Sequence, residues 1–488
     1  MGISALLIVL PVLGAAITAL IPTGEDGRKP LVSAIASTGI FLLFALFLAL
    51  RFEPSAGEQF TTRIDWVPEI GVTFHLGLDG PSILMVLLTA LLSLVALLAI
   101  PGTMERVSRS FLVWFLLMQA SVVGVFLARD WFLFYLFWEV ALIPMFFLIG
   151  IWGGPRRGRA AYSFFLYTLA GSLVMLVGLM AAYVEAVAQQ APHGFEMITI
   201  ASAMQKASPQ LQSFVFICVF LGMAVKVPVF PLHGWLPSAH VEAPVPVSIM
   251  LSGVLLKMGG YGLLRLAEMV PSAVAQYGVI LLSLGIITVI YGAVLAFRQD
   301  DLKAMVAYSS VNHMGFVLIG IASLTEIGLR GATVQMFSHG LVTAALFFLV
   351  GLVYKQTHSR SLIMSSGIAK QAPKFTIFMT ITLLASMGLP GLSGFVGEFQ
   401  VLMGGYGRWG LIVALAGLGI LVTTIYSLRV FGWMVLQPKK GDGGSIRDLG
   451  TIELVILVPL AALMILLGLF PSIIADLITS STAALAYP

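Results

Sequence analysis

The chain has 488 residues, 59 % of them hydrophobic and 10 % charged, with a mean hydropathy of +1.03. That composition places it among polytopic helical membrane proteins and excludes an ordinary water-soluble domain. The net charge is only +4, the basic residues are scattered through loops rather than clustered as nucleic-acid binding requires, and one cysteine, Cys218, excludes a disulfide or a thiolate metal cluster made by this chain alone.

Apolar runs of around 20 residues mark about fourteen spans. They fall at 3–21, 31–50, 81–100, 111–128, 131–151, 161–184, 209–230, 244–264, 276–297, 303–322, 330–353, 375–404, 410–435 and 452–472. The first is long enough to cross and lacks a basic leader, so it reads as a helix rather than a cleaved signal. The expected fold is an all-α polytopic membrane protein, one membrane domain over 1–488. Two stretches outside the membrane, 51–79 and 185–208, contain Trp66, Phe74, Phe195 and Ile198 and read as ordered caps.

Loop charges give an orientation. One side carries sixteen Lys and Arg, including Arg156, Lys303, Lys439 and Lys440. The other carries seven: Arg51, Arg63, Arg129, Lys206, Arg265, Arg330 and Arg408. The remaining three, Lys226, Lys257 and Arg429, lie inside spans. The richer side is expected to be cytoplasmic, with both termini facing the periplasm.

A weak internal repeat runs through the chain. RDWFLFYLFWEVALIPMFFLIG (129–150) matches QDDLKAMVAYSSVNHMGFVLIG (299–320) at an offset of 170. Within a couple of residues the same offset sets Lys226 against Glu398, Lys257 against Arg429, and KVPVFPLHG against MGLPGLSGFVGE. The offset is five spans, an odd number, so the copies have opposite orientation. Spans 4–8 and 9–13 thus form two inverted five-helix repeats, with spans 7 and 12 discontinuous, a pattern of many transporters. Accordingly 1–110 holds N-terminal helices, 111–265 the first repeat, 276–435 the second and 452–488 a C-terminal helix.

Six ionisable residues fall well inside spans: Glu139, Lys226, Lys257, His313, His339 and Glu398. Each costs a few kcal/mol to bury, roughly 2.5 to 3.5 for a central lysine on insertion scales. Pro228, Pro231 and Pro237 break the helix beside Lys226, which is tolerated only where protein or a hydrated cavity re-satisfies the backbone. Together they suggest a row across the bundle, parallel to the membrane plane. Glu139 reads either as a neutral carboxyl on a carbonyl or as a charged partner of Lys226. Lys257 is too central to snorkel, and lysine, unlike arginine, shifts its pKa readily on burial. His313 and His339 either bond across helices or relay protons between lysine and glutamate. His233 and His240 read as loop or cap residues near a proton entrance, and the role of Arg429 stays open.

These motifs resemble the antiporter-like subunits of respiratory complex I, the proton-pumping NADH:quinone oxidoreductase. The resemblance is carried by FLFYLFWEVALIPMFFLIG, AVKVPVFPLHGWLPSAHVEAPVPVSIMLSGVLLKMGGYGLLR, DLKAMVAYSSVNHMGFVLIG, FSHGLVTAALFFLVG and GLPGLSGFVGEF, and covers almost the whole chain. It implies fourteen core helices, inverted five-helix repeats and a proton path through Glu139, Lys226, Lys257, His313, His339 and Glu398. It implies no cofactor in this chain, with FMN, iron–sulfur clusters and quinone in partner subunits. It also implies L-type and N-type antiporter-like neighbours and a bacterial inner membrane. Those sister types carry lysine where this chain has Glu398. The alternatives are a subunit of a multisubunit sodium/proton antiporter or membrane-bound hydrogenase and, from another class, a haem protein ligated by His313 and His339.

Overall fold

The computed structural model describes residues 2–22, 28–191, 194–363, 366–438 and 446–486; Lys439 and Lys440 lie outside them. The chain opens with helices α1 (Leu6–Leu20) and α2 (Arg28–Arg51). An antiparallel hairpin follows, β1 (Gln59–Val67) and β2 (Val72–Leu78), turning at Gly71 with φ +67°. Then come α3 (Gly80–Thr103), α4 (Arg109–Leu127), α5 (Trp131–Trp152), α6 (Arg157–Ala188), α7 (Pro209–Lys226) and α8 (Val245–Met269). The second half continues with α9 (Gly278–Phe297), α10 (Leu302–Ser323), α11 (Glu326–Thr357), α12 (Pro373–Ser386), α13 (Ser393–Trp409), α14 (Gly417–Phe431), α15 (Thr451–Leu469) and α16 (Ser472–Leu485).

Many helices start on polar caps. Asp79 accepts from Ser82 N, Asp130 from Phe132 N and Leu133 N, and Asp301 from Lys303 N and Ala304 N, satisfying amides that a helix start leaves free. Thirteen helical stretches among the described residues are long and apolar enough to cross a membrane. The expected number was about fourteen, and the difference follows from the breaks. Residues 387–392 cut the twelfth span so that α12 is only 14 residues, while Ser393–Leu436 counts as a single stretch of 44. That stretch turns at Gly410, φ +65°. The turn and the far end meet opposite ends of α10: Arg408 beside the turn donates to Ser323 O, and Arg429 pairs with Asp300. The region 452–488, expected to hold one C-terminal helix, holds two; Ile474 and Ile478 bury the second, α16, which packs on α3 and α11.

The most hydrophobic 18-residue windows of α8 and α11 are 100 % buried and that of α10 94 %, against 39 % and 33 % for the first two helices. A helix apolar all round belongs in the centre, so polar groups on α8, α10 and α11 lie deep in the protein. The two halves of the chain each contain an interrupted helix. In the first, Trp235 Nε1 donates to Val225 O (2.9 Å) and Phe230 N to Thr288 Oγ1 (3.0 Å), so protein groups serve the broken backbone. In the second, Gly388 and Gly391 adopt φ +73° and +92°, a region open to glycine.

The bundle has two ends of different character. At the basic face Arg156 pairs with Glu242, Arg360 with Asp301 and Arg429 with Asp300. At the hairpin face the stretches 51–79 and 185–208 are ordered together: Arg129 N donates to His75 O, Trp131 N to Phe195 O, and Phe195 stacks on Tyr183 at 4.0 Å. Phe195 is buried, whereas Trp66 and Ile198 are exposed, although the Trp66 ring rests edge-on against Phe74 and Phe132. Two residues expected in hairpin-side loops, Arg129 and Arg265, are buried, as is Lys303 on the basic face.

A buried row of ionisable side chains

Four of the six intramembrane residues form one chain. Lys257 sits just past a turn of α8 at Leu251–Leu255 wound with i→i+5 geometry. Its Nζ folds back to donate to Ser252 O at 2.5 Å and lies 2.6 Å from His339 Nδ1 on α11. The His339 and His313 rings are 5.4 Å apart between centroids. His313 Nδ1, on α10, lies 2.8 Å from Glu398 Oε1 on α13. A small polar cavity between the two imidazoles, lined also by Gln335, Ser338 and Ser386, has room for about one water molecule. The spatial order is Lys257, His339, His313, Glu398, so the histidines stand in the reverse of their sequence order, and Glu398 faces His313 rather than His339.

The chemistry of each contact is defined by what its atoms can give. A lysine ammonium only donates, so His339 Nδ1 accepts from it as the bare nitrogen, with the neutral ring's proton on Nε2, which has no partner. If the lysine gives up a proton, the same contact holds with His339 Nδ1–H donating. A histidine protonated at both nitrogens can pass one on without the ring moving. Glu398 accepts from His313 and from Gln335 Nε2 (3.2 Å), while Ser386 Oγ lies 3.5 Å from His313 Nε2.

The other two residues stand apart. Lys226 is buried at the end of α7, and its Nζ lies 5.5 Å from the Trp138 ring centre and 5.4 Å from that of Phe164, with no hydrogen-bond partner. Glu139 is half-buried beside Tyr135 and Ser172 and makes no ion pair with Lys226 within 4.0 Å; the two act on each other only through space. The expected contact pair is therefore absent: aromatic rings occupy the immediate surroundings of the ammonium. α8 nevertheless runs close to Lys226, since a Cβ on Gly259 would lie 3.1 Å from the Lys226 Cβ.

The repeat alignment also needs correction. Lys226 precedes its break, whereas Glu398 follows its own by several residues. The Glu398 carboxylate reaches back, with Oε2 3.1 Å from where a Cβ on Gly388 would be. Arg429, the formal counterpart of Lys257, donates to Phe297 O (2.6 Å) and pairs with Asp300 at a helix end, so it has no part in the row.

Several participants escaped the sequence reading. Gln335 lies one turn before His339 on α11, an i, i+4 stripe visible in FSHG and its flank. His240, read as a loop residue, is fully buried in the short helix Trp235–Glu242, stacks on Phe347 at 4.7 Å and feels the charges of Lys303 and Lys257. Lys303 Nζ donates to the Ala243 carbonyl. A cavity of about 380 Å³, lined by Arg106, Glu242, Lys303, Tyr354 and Arg360, opens towards this group from the basic face. His233 is also buried and lies against the Tyr291 ring. Among the described residues no group of three or more His, Cys, Asp or Glu is arranged to hold a metal ion.

A family model described as the NADH:quinone oxidoreductase/Mrp antiporter transmembrane region matches residues 128–424, which contain all six intramembrane ionisable residues. NADH-quinone oxidoreductase subunit M of Rickettsia bellii is 38 % identical over 442 residues, 90 % of this chain and 88 % of the relative. A chain of respiratory complex I from Thermus thermophilus has the same fold, with TM-score 0.89 and 31 % identity, over 99 % of this chain and 100 % of that one. A chain of the Mrp complex from Dietzia sp. superposes with TM-score 0.84 at 25 % identity, over 98 % of this chain and 52 % of the other. The chain belongs to the NADH:quinone oxidoreductase/Mrp antiporter family and, within it, to the complex I members of subunit M type.

Proposed function

We propose that this chain is a proton-translocating membrane subunit of an NADH:quinone oxidoreductase, moving protons along Lys257, His339, His313 and Glu398 while electrons flow in other subunits. The observation that carries this reading is the continuous contact of four ionisable side chains in the most buried helices. Protons enter from the basic face by way of Lys303 and His240, reach Lys257, and leave from Glu398. Glu139 and Lys226, coupled through space, form the end of the row that senses a neighbouring subunit. FMN, the iron–sulfur clusters and quinone belong to partner subunits.

The finer assignments extend the same reading. The basic face is cytoplasmic, both termini are periplasmic, and the membrane is the bacterial inner membrane. L-type and N-type antiporter-like subunits are the lateral neighbours. Residues 111–265 and 276–435 are the two inverted repeats, each supplying one interrupted helix. The Mrp likeness keeps a sodium/proton antiporter in view as a second reading. The acid at 398 favours the first, because the lysine-bearing sister pattern is the one shared with the antiporters.

The test uses the assembled complex in proteoliposomes. Lys257→Ala and Glu398→Gln should each assemble and lose most proton pumping per electron. Native pumping in both would refute the row.

A further inference from the structure

On α8, Lys257, Tyr261 and Arg265 follow at four-residue intervals and share one face pointing towards the hairpin end. Arg265 lies about 12 Å along the helix from Lys257. Tyr261 Oη donates to Phe126 O (3.0 Å) and accepts from Arg265 Nη2 (2.7 Å). Arg265 Nη2 is also 2.6 Å from Asp79 Oδ2, and its Nη1 is 2.6 Å from Glu268 Oε1. The same Asp79 oxygen is 3.0 Å from Arg129 Nη1. Ser82 Oγ donates to Asp79 Oδ1 (2.7 Å) and accepts from both guanidiniums. Beyond Arg129 stands Glu58, which pairs with His75 near the surface of the hairpin.

A line of polar groups therefore runs from Tyr261, one turn beyond Lys257, to the hairpin face, while the Lys257 ammonium lies past its inner end, folded back to Ser252. On a proton pump such a line would be a short circuit, letting Lys257 exchange with both sides. Two of its members are guanidiniums, which keep their protons at any physiological pH and cannot relay them. Paired with Asp79, Glu268 and Glu58, they are locked in a buried ion-pair network that leaves no releasable proton on the guanidiniums. Arg265 is 3 % exposed, Arg129 7 % and Asp79 8 %, so solvent scarcely screens them.

We propose that the Arg129–Asp79–Arg265 cluster is an ion-pair seal that isolates Lys257 from the hairpin side, so that this part of the row exchanges protons with the basic face alone. The proposal rests on Lys257 being a proton carrier, as argued above. Burial by itself would raise the Asp79 carboxyl, but the guanidiniums of Arg129 and Arg265 overcome it and hold that carboxyl well below the usual range. A depressed carboxylate keeps its contribution at all pH above that range and loses it only on strong acidification. The seal therefore persists on the acidic side of an energised membrane.

The experiment is passive proton leak through the reconstituted complex with the electron donor omitted, read as decay of an imposed pH gradient with an enclosed dye. Arg265→Gln should speed the decay several-fold, and Arg265→Lys, which keeps the pairing charge but can release a proton, should fall between it and native. Adding Lys257→Met to Arg265→Gln should remove the leak. Arg129→Gln, outside a helix, should show the same pattern more weakly and carries the decision if Arg265→Gln does not assemble. Native decay in the assembled neutral variant overturns the seal. So does a leak that survives Lys257→Met, which would make the cluster a fold anchor only. Lys257→Ala alone separates the two readings: if it pumps normally the row itself fails, whereas lost pumping without leak in the neutral variants removes only the seal.

Discussion

Lys257 is held so closely that its chemistry and its shape can be told apart by substitution. Its Nζ has acceptors at 2.5 and 2.6 Å on one side chain and one carbonyl of its own helix. Arginine keeps the charge but cannot release a proton, and its planar fork does not fit that space. Lys257→Arg is expected to lose pumping as fully as Lys257→Ala, on the order of 10² or more if the proton step limits turnover; proton release per electron in proteoliposomes checks this. At the other end, Glu398→Gln keeps the shape but cannot ionise, and pumping should fall strongly. Glu398→Lys should be partly tolerated, because Gln335 Oε1 is buried without a partner and can accept from an ammonium. The types and positions of these residues were legible from sequence, since an ionisable group in an apolar run stands out. Their order was not, because Lys257 meets His339 before His313 only through the packing of α11 between α8 and α10. Arg129 and Arg265 were misjudged for the same reason: each lies at a helix end by sequence and is buried only by tertiary contacts with Asp79.

The elements that position these side chains are irregular where the chemistry needs them. The wide turn at Leu251–Leu255 sets Ser252 O within reach of the Lys257 ammonium, and such turns are frequent at functional sites. One residue further, Gly253 faces Gly340 across the α8–α11 contact: a Cβ on Gly340 would lie 3.0 Å from Gly253 O and 2.8 Å from a Leu88 methyl. That absence of side chain lets Ser252 and His339, the adjacent residues, come within reach of the same Nζ. Gly340→Val should cost about 1 to 3 kcal/mol by overpacking and push α11 away from Lys257. A lowered thermal midpoint of the purified complex together with reduced pumping is the expected result; native pumping would show that the glycine contact does not set the Lys257–His339 distance. The breaks themselves were legible from Pro and Gly, but not where the half-helices end. α16 was not separated from the helix before it, because ITSSTAAL is rich in Ser and Thr and too polar to mark a further span.

At the scale of the whole molecule, direction of transport depends on which face is which, and charge alone argues for it. The basic face gathers Arg156, Lys303, Lys355, Arg360 and Arg429, while Arg63, Arg129 and Arg408 stand at the hairpin face. Positive loops stay on the cytoplasmic side during insertion, so the proposed orientation puts the hairpin and α16 outside. The single cysteine makes this testable with little disturbance. Cys218 is buried, and replacing it by alanine leaves this chain without thiols. Trp66→Cys, on the exposed outer surface of the hairpin, should react with a membrane-impermeant maleimide added to intact spheroplasts. Glu105→Cys, in the loop between α3 and α4 beside the cavity of the basic face, should react only in inverted vesicles. The reverse pattern would turn the molecule over, making the cavity at Lys303 and His240 an exit. The hairpin side would then be the side of uptake, and the Arg129–Asp79–Arg265 cluster would stand between Lys257 and the proton source.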